Sequence, residues 1–432
     1  MLRPRWQLND GQADFQARFA ALVAADRHAG IDVSAAVREV IQAVRHGGDA
    51  ALATFTQQFD AVDFADFPMQ VSVAERDALA GQVPEPQRAA LTLAAERIAD
   101  FHSRQVPQDL AYRDKLGVHL GYRWRPVDRA GLYVPGGRAA YPSSLLMSAI
   151  PARVAGVSSL AMTVPTPQGH LSPLVMAAAQ VAGVEEIYRL GGAQAIAALS
   201  FGTQTIAGVD VIVGPGNAYV AEAKRQVFGT VGIDMVAGPS EILIIADGQQ
   251  NPNWIAADLL SQCEHDPSAQ AILMSPDAAL LTQVAEAVAG QLETLATADT
   301  ARQSWQDHGA LILVKDLAQA AALSDQLAPE HLELAVAHPE RLFEIIRHAG
   351  SVFFGAYTPE PLGDYVAGPN HILPTARTAR FSSGLGVHTF MKRTTFLGAS
   401  AQALEALGPA TRTLAAAEGL PAHGAAIGIR RN

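Results

Sequence analysis

"DVIVGPGNAYVAEAKRQVFG", residues 210–229, joins a short β-rich run to a helical run through a glycine–proline turn. The same unit recurs on its N-terminal side. "AGLYVPGG" (130–137) and "SLAMTVPT" (159–166) read as strands, and the second leads into the helical "SPLVMAAAQVAG" (172–183). "EEIYRLGG" (185–192) then leads into "AQAIAALSFG" (193–202). Strands alternating with helices argue for a parallel sheet covered by helices. Glycines at the strand ends mark the carboxyl edge, where open α/β sheets bind ligands.

A second series follows. "EILIIAD" (241–247), "QAILMSP" (270–276), "GALILVK" (309–315) and "SVFFG" (351–355) read as strands. "NPNWIAADLLSQCE" (251–264), "AALLTQVAEAVAGQLET" (278–294) and "HPERLFEIIRHAG" (338–350) read as helices, the first capped by Asn251 with Pro252 at its first position. Ahead of both series, residues 15–59 and 84–105 repeat apolar residues at helical spacing. After Phe353 the chain reads as loop, followed by a helical piece over 401–420. The fold class is α/β.

At 432 residues and 49% hydrophobic, the chain has material for more than one lobe. Its single cysteine excludes an intrachain disulfide and a cysteine metal cluster, and suits a reducing compartment. A net charge of -11 disfavours a nucleic-acid partner, because phosphates are bound by cations. No uninterrupted apolar run is long enough to span a membrane, and "MLRPRWQLND" lacks the apolar stretch of a secretory signal. A soluble cytoplasmic protein is expected.

Four stretches could carry chemistry. In "SQCEH", Gln262 and His265 lie three apart on one helix face, and both can donate a lone pair to a metal. Cys263 between them points elsewhere and has Glu264 as a neighbour, a poor setting for a nucleophile and a good one for packing. In "LAPEHLEL", Glu330 and His331 stand together among apolar residues. They read either as an acid/base pair tuned by burial or as a helix start with an acidic first turn. Asp364 and His371 lie in a Gly/Pro-rich loop, as ligands or as turn and surface residues. Glu418 and His423 lie near the C-terminus, where a frayed tail is the plain reading. No G-x-G-x-x-G follows any of the strands, so spacing alone yields no nicotinamide cofactor.

Taken in order, "AGLYVPGG", "GGAQAIAAL", "GPGNAYVAEAKRQV", "DMVAGPSEILI", "DLLSQCEHD", "LAPEHLEL", "GDYVAGPNHILPT" and "AEGLPAHGAA" resemble the histidinol dehydrogenase family over residues 130–426. The resemblance implies two incomplete Rossmann-like lobes. Residues 1–28 would be an N-terminal helical segment, 29–132 with 240–384 a discontinuous first lobe, 133–239 the second lobe and 385–432 a C-terminal dimerisation tail. It implies two successive NAD-dependent oxidations, of L-histidinol to L-histidinal and then to L-histidine, the last step of histidine biosynthesis. One zinc per subunit would be held by Gln262, His265 and Asp364, with His423 supplied by the tail of the partner in a homodimer. Ser240, His371, Glu418 and His331 would touch substrate together with the zinc ligands, and Tyr133, Gln194 and Asn217 would touch NAD. Glu330 and His331 would be catalytic, and Cys263 would have no role. A zinc/NAD dehydrogenase of another small polar alcohol, such as a sulfonated diol, is the neighbouring reading. A zinc hydrolase and a non-catalytic binding protein are the others.

Overall fold

The computed structural model describes residues 3–25, 27, 32–136 and 141–430. Gly137 of the "YVPGG" turn lies outside them.

Fifteen strands form among the described residues. β1 (Trp6–Asn9) and β2 (Gln70–Val71) sit among the N-terminal helices. β3 (Leu110–Arg113) and β4 (His119–Pro126) form a hairpin. β5 (Arg129–Tyr133), β6 (Ser159–Val164), β7 (Glu186–Arg189), β8 (Val211–Val213) and β9 (Gly232–Ile233) follow. The last six are β10 (Glu241–Ala246), β11 (Gln270–Ser275), β12 (Ala310–Leu313), β13 (His331–Ala335), β14 (Ser351–Phe354) and β15 (Met391–Gly398).

Two six-stranded sheets carry the α/β expectation. One runs β2-β7-β6-β5-β8-β9, parallel except for β2. The other runs β1-β12-β11-β10-β13-β14 and is parallel throughout. Every residue of β10 and β11 is buried, as helix-covered parallel strands require. Ile242 and Ile244 of β10 pack under the helix Pro252–Cys263, while Leu243 and Ile245 pack on the opposite face. Asn251 caps that helix through the Asn253 N–H, as expected. β15, β4 and β3 make a small antiparallel sheet that joins residues 110–126 to the approach to the tail.

The chain is distributed differently from the layout that the resemblance implied. β1 pairs with β12, so the first residues build the second sheet's edge instead of a separate helical segment. The helices Ser34–Gly47, Val73–Ala80 and Glu85–Ser103 pack chiefly on the helices around β5–β9, and of the three Glu85–Ser103 also touches residues 366–372, through Arg97 to Val366 O and Ala367 O. Their apolar stripes find the nearest uncovered helices, those of residues 142–227. β5 spans the boundary expected at 132/133. Two local readings also change. The helix expected over 338–350 covers only Pro339–Phe343, and the stretch around Glu330 opens a strand, not a helix.

The two sheets present opposite edges. Tyr133 and the turns after β7 and β8 lie at the carboxyl edge of the first. Ser240 and Glu330 precede β10 and β13, at the amino edge of the second. The "GPGN" turn at the carboxyl edge is fixed by a buried ion pair. Lys224 Nζ bonds Asp234 and donates to Gly214 O at 3.0 Å, while Gly214 N donates to Asp234 Oδ2 at 2.8 Å. Gly214 has φ +115°, and a Cβ there would lie 2.1 Å from Tyr133 O, so only glycine fits. Lys224→Met should leave Asp234 buried and unpaired and cost about 3–5 kcal/mol. Urea unfolding followed by tryptophan fluorescence measures this, and an unchanged midpoint would show that the pair is dispensable.

Candidate active site

Glu330 and His331 owe their placement to the β10–β13 ladder, in which Ile242 stands opposite His331. One residue earlier, Glu241 N donates to Glu330 Oε2 at 2.9 Å, and Glu241 O lies 3.0 Å from His331 Nδ1. A carbonyl only accepts, so Nδ1 carries the proton and Nε2 keeps its lone pair. That Nε2 is buried and has no hydrogen-bond partner among the described residues. Burial lowers the His331 pKa, and the nearby His265 and His371 push the same way, so the ring is neutral near pH 7. Burial raises the Glu330 carboxyl well above the usual range, helped by Glu241 and Asp364.

The short helix Glu360–Tyr365 brings two carboxyls to the free face of His331. Glu360 Oε1 and Asp364 Oδ1 lie 3.7 and 3.8 Å from Nε2. Burial, and then Asp364 beside it, pushes the Glu360 carboxyl up to about 10. Glu360 therefore holds a proton at neutral pH and donates it to the Asp364 carboxyl. His371 Nδ1 donates to Asp364 O at 2.8 Å, and its Nε2 lies 3.3 Å from Ser144 Oγ, on a helix of the other sheet's layer. His331, Asp364, His371, Phe353 and Asn370 line a cavity of about 110 Å³.

Gln262 ends the helix Pro252–Cys263 and His265 follows in the turn, with Gln262 Nε2 3.4 Å from His265 Nδ1. Gln262 Oε1 is buried with no partner among the described residues, an acceptor that none of them satisfies. His331, Glu360 and Asp364 each offer an atom within 4.8 Å of the others. These donors fit a divalent cation of mixed N/O preference. Cys263 is fully buried in the apolar core beneath, and burial pushes its thiol up to about 12. One helical turn before Gln262, Asp258 bonds Glu333, two residues past His331 on the same strand face. Burial raises both, Asp258 to about 6.

The remaining expected residues fall into two groups. Tyr133, Gln194 and Asn217 gather at the carboxyl edge of the first sheet. Gly192 N donates to Tyr133 Oη at 3.2 Å, Gln194 is buried on the next helix, and Asn217 caps the helix Ala218–Val227. Glu418 and His423 stand exposed on the tail helices and are not brought to the other residues within one chain. Sequence reading missed Glu360, Glu333, Asp258 and Ser144. Glu360 stands four residues before Asp364, a helical spacing hidden by Pro361 and Gly363. Glu333 follows His331 by two, visible only once the segment is read as a strand.

Comparison with known proteins gives a consistent answer. Residues 24–431 match the family model described as histidinol dehydrogenase. Histidinol dehydrogenases of Rhodospirillum rubrum and Ruegeria pomeroyi are each 57% identical, over 99% and 98% of this chain and 98% of either relative. The crystal structure of histidinol dehydrogenase from Elizabethkingia anophelis superposes with a TM-score of 0.94 at 35% identity, covering 99% of this chain and 98% of that one.

The burial of Cys263 makes a simple prediction. The native protein should not react with a thiol reagent at pH 8, and should react fully once denatured. Rapid native labelling would show an open, activated thiol.

Proposed function

The chain belongs to the histidinol dehydrogenase family and is an oxidoreductase, and from that premise we propose that it oxidises L-histidinol through L-histidinal to L-histidine with two NAD, the last step of histidine biosynthesis. The observation that carries this reading is the unpartnered Nε2 of a neutral His331, facing a cavity walled by Asp364 and His371. Such a nitrogen is a base ready to take a hydroxyl proton.

Gln262, His265 and Asp364 would hold a zinc ion, with His423 reaching in from the tail of a second copy of the chain. The orphaned Gln262 oxygen supports the first part. Leu407, Leu414, Leu420 and Ile429, exposed on the tail helices with His423, support the second, because this apolar surface needs a cover. When bound, zinc supplies a Lewis-acid anchor for substrate nitrogens and NAD supplies the hydride acceptor. Ser240, His371 and Glu418 would orient the amino alcohol, while Tyr133, Gln194 and Asn217 would hold the dinucleotide across the cleft.

His331 Nε2 takes the hydroxyl proton in the first oxidation. Glu330, held beside His331 by the Glu241 N–H, would in its ionised form draw a proton from the water that adds to the aldehyde, and the burial that raises its carboxyl makes that form the stronger base. His331 takes the hydrate proton in the second oxidation. A hydrolase reading leaves the three residues at the first sheet's carboxyl edge without a role, and a binding-protein reading leaves Glu330 and His331 without one.

NADH absorbance should report two NADH per L-histidinol, lost on chelation and restored by zinc. No NADH from a folded, zinc-loaded protein would redirect the assignment to a related alcohol such as a sulfonated diol. His331→Asn should fold and lose about 10²–10⁴-fold in turnover; near-normal rates would remove it as the base. Glu330→Gln should slow the aldehyde half-reaction more than the alcohol half-reaction, and equal losses would count against water activation. Verified heterodimers of His265→Ala and His423→Ala subunits should regain one intact site, and no recovery would end the shared-site idea.

A further inference from the structure

Glu241 touches both acid/base residues through its backbone alone, so whatever fixes Glu241 also fixes them. Its side chain is buried and pairs with Arg27, which comes from beyond the first helix, more than two hundred residues away in sequence. Nη1 of the same guanidinium donates to Ser240 O at 3.2 Å and to Ser268 O at 3.3 Å. Arg27 thus ties together the starts of β10 and β11. The peptide N–H groups of Ala376 and Arg377 also face the Glu241 carboxylate. Both residues have positive φ, 50° and 65°, a conformation that a Cβ disfavours. The backbone keeps this unfavourable shape at the place where it faces Glu241. Beside the pair lies a cavity of about 160 Å³, lined by Leu22, Leu243, Leu327, Pro329, Arg27 and Glu241.

We propose that Arg27 and Glu241 are a positioning pair. The Arg27 guanidinium locks the start of β10, so that the Glu241 N–H orients the Glu330 carboxyl and the Glu241 carbonyl holds the His331 ring with its proton on Nδ1. Neither side chain reaches the reacting atoms. Arg27 is suited to this work and Lys is not, because only a planar fork can serve a carboxylate and two carbonyls at once. Without the clamp, Glu241 can shift and His331 can carry its proton on either nitrogen. Half of the purpose of the ladder between β10 and β13 is then lost, although the strands stay paired.

The kinetic readout rests on the dehydrogenase reading above. Arg27→Ala should lower kcat for L-histidinol by about ten- to a hundredfold, the range seen when a group that orients an active imidazole is removed. KM for L-histidinol should change less than kcat falls, because Gln262, His265 and Asp364 are untouched and only Ser240, held through its carbonyl, can shift. Guanidinium chloride at millimolar concentration should restore part of the lost turnover, since the neighbouring cavity admits the ion. Arg27→Lys should fold and remain impaired, which covers the case where Arg27→Ala does not fold. A kcat within twofold of wild type in either folded variant, or a raised KM at unchanged kcat, would overturn the proposal. A second measurement needs no substrate. With ¹⁵N-labelled histidine, the signal lost in His331→Asn should show the Nδ1–H tautomer in the wild type and a mixture in Arg27→Lys. An unchanged tautomer would overturn the proposal even if histidinol proved to be the wrong substrate, whereas an inert wild type with the expected tautomer shift would fault only the substrate.

Discussion

The backbone of one residue, Glu241, holds Glu330 and His331 together. Glu241 gives its N–H to Glu330 and its carbonyl to His331, and these bonds continue the ladder that pairs β10 with β13. The arrangement costs little conformational freedom, because the groups are oriented by a sheet that the apolar residues of both strands already require. It also decides the chemistry. A carbonyl at Nδ1 leaves Nε2 as the lone pair, and burial keeps the ring neutral so that the pair is available.

The second constraint is the relation between the sheets. One gives its carboxyl edge to the cleft, through Tyr133 and the turns before Gln194 and Asn217. The other gives its amino edge, through Ser240 and Glu330. Helices that follow strands of the second sheet therefore run back toward the cleft, and Gln262 and His265 arrive there at a helix's C-terminal end. Ser144 and His371, 3.3 Å apart, join the two layers at the cleft.

Much of this was legible in the chain. The β-α rhythm from Arg129 onward showed β5–β8, β10–β12 and β14, eight of the twelve strands in the two sheets, because buried parallel strands are apolar and several end in glycine or proline. β1, β2, β3, β4, β9 and β15 escaped notice, and β13 lay in a stretch whose plain reading was a helix start. "WQLN" is too short to show alternation, and "GYRWRP" alternates charge with aromatics on an exposed surface. The pair at 330–331 reads locally as a helix start, an acidic residue after a proline, and only pairing with β10 makes the segment a strand. Gln262 and His265 were visible because they share one turn. Arg27 was not visible as a partner, since nothing local links it to a glutamate more than two hundred residues away.

The electrostatics of the site favour a cation as its occupant. Glu330, Glu360 and Asp364 lie within 3.8 Å of His331, and Glu333 with its partner Asp258 follows on the same strand face. Burial raises Asp258, Glu330, Glu333 and Glu360, because a carboxylate away from water is costly without a cation beside it. Introducing a divalent ion and an ammonium-bearing amino alcohol would reverse that balance, drawing protons off the carboxyls as positive charge enters. An anionic substrate would meet the same carboxyls with repulsion and would gain nothing from a neutral imidazole. A sulfonated diol therefore suits this acid-rich pocket poorly, while L-histidinol brings an amine and an imidazole to it. Arg27 sits behind Glu241 and outside the cavity that His331, Asp364 and His371 line. A guanidinium at the cavity itself would satisfy the acids permanently and leave them nothing to offer a metal or a substrate.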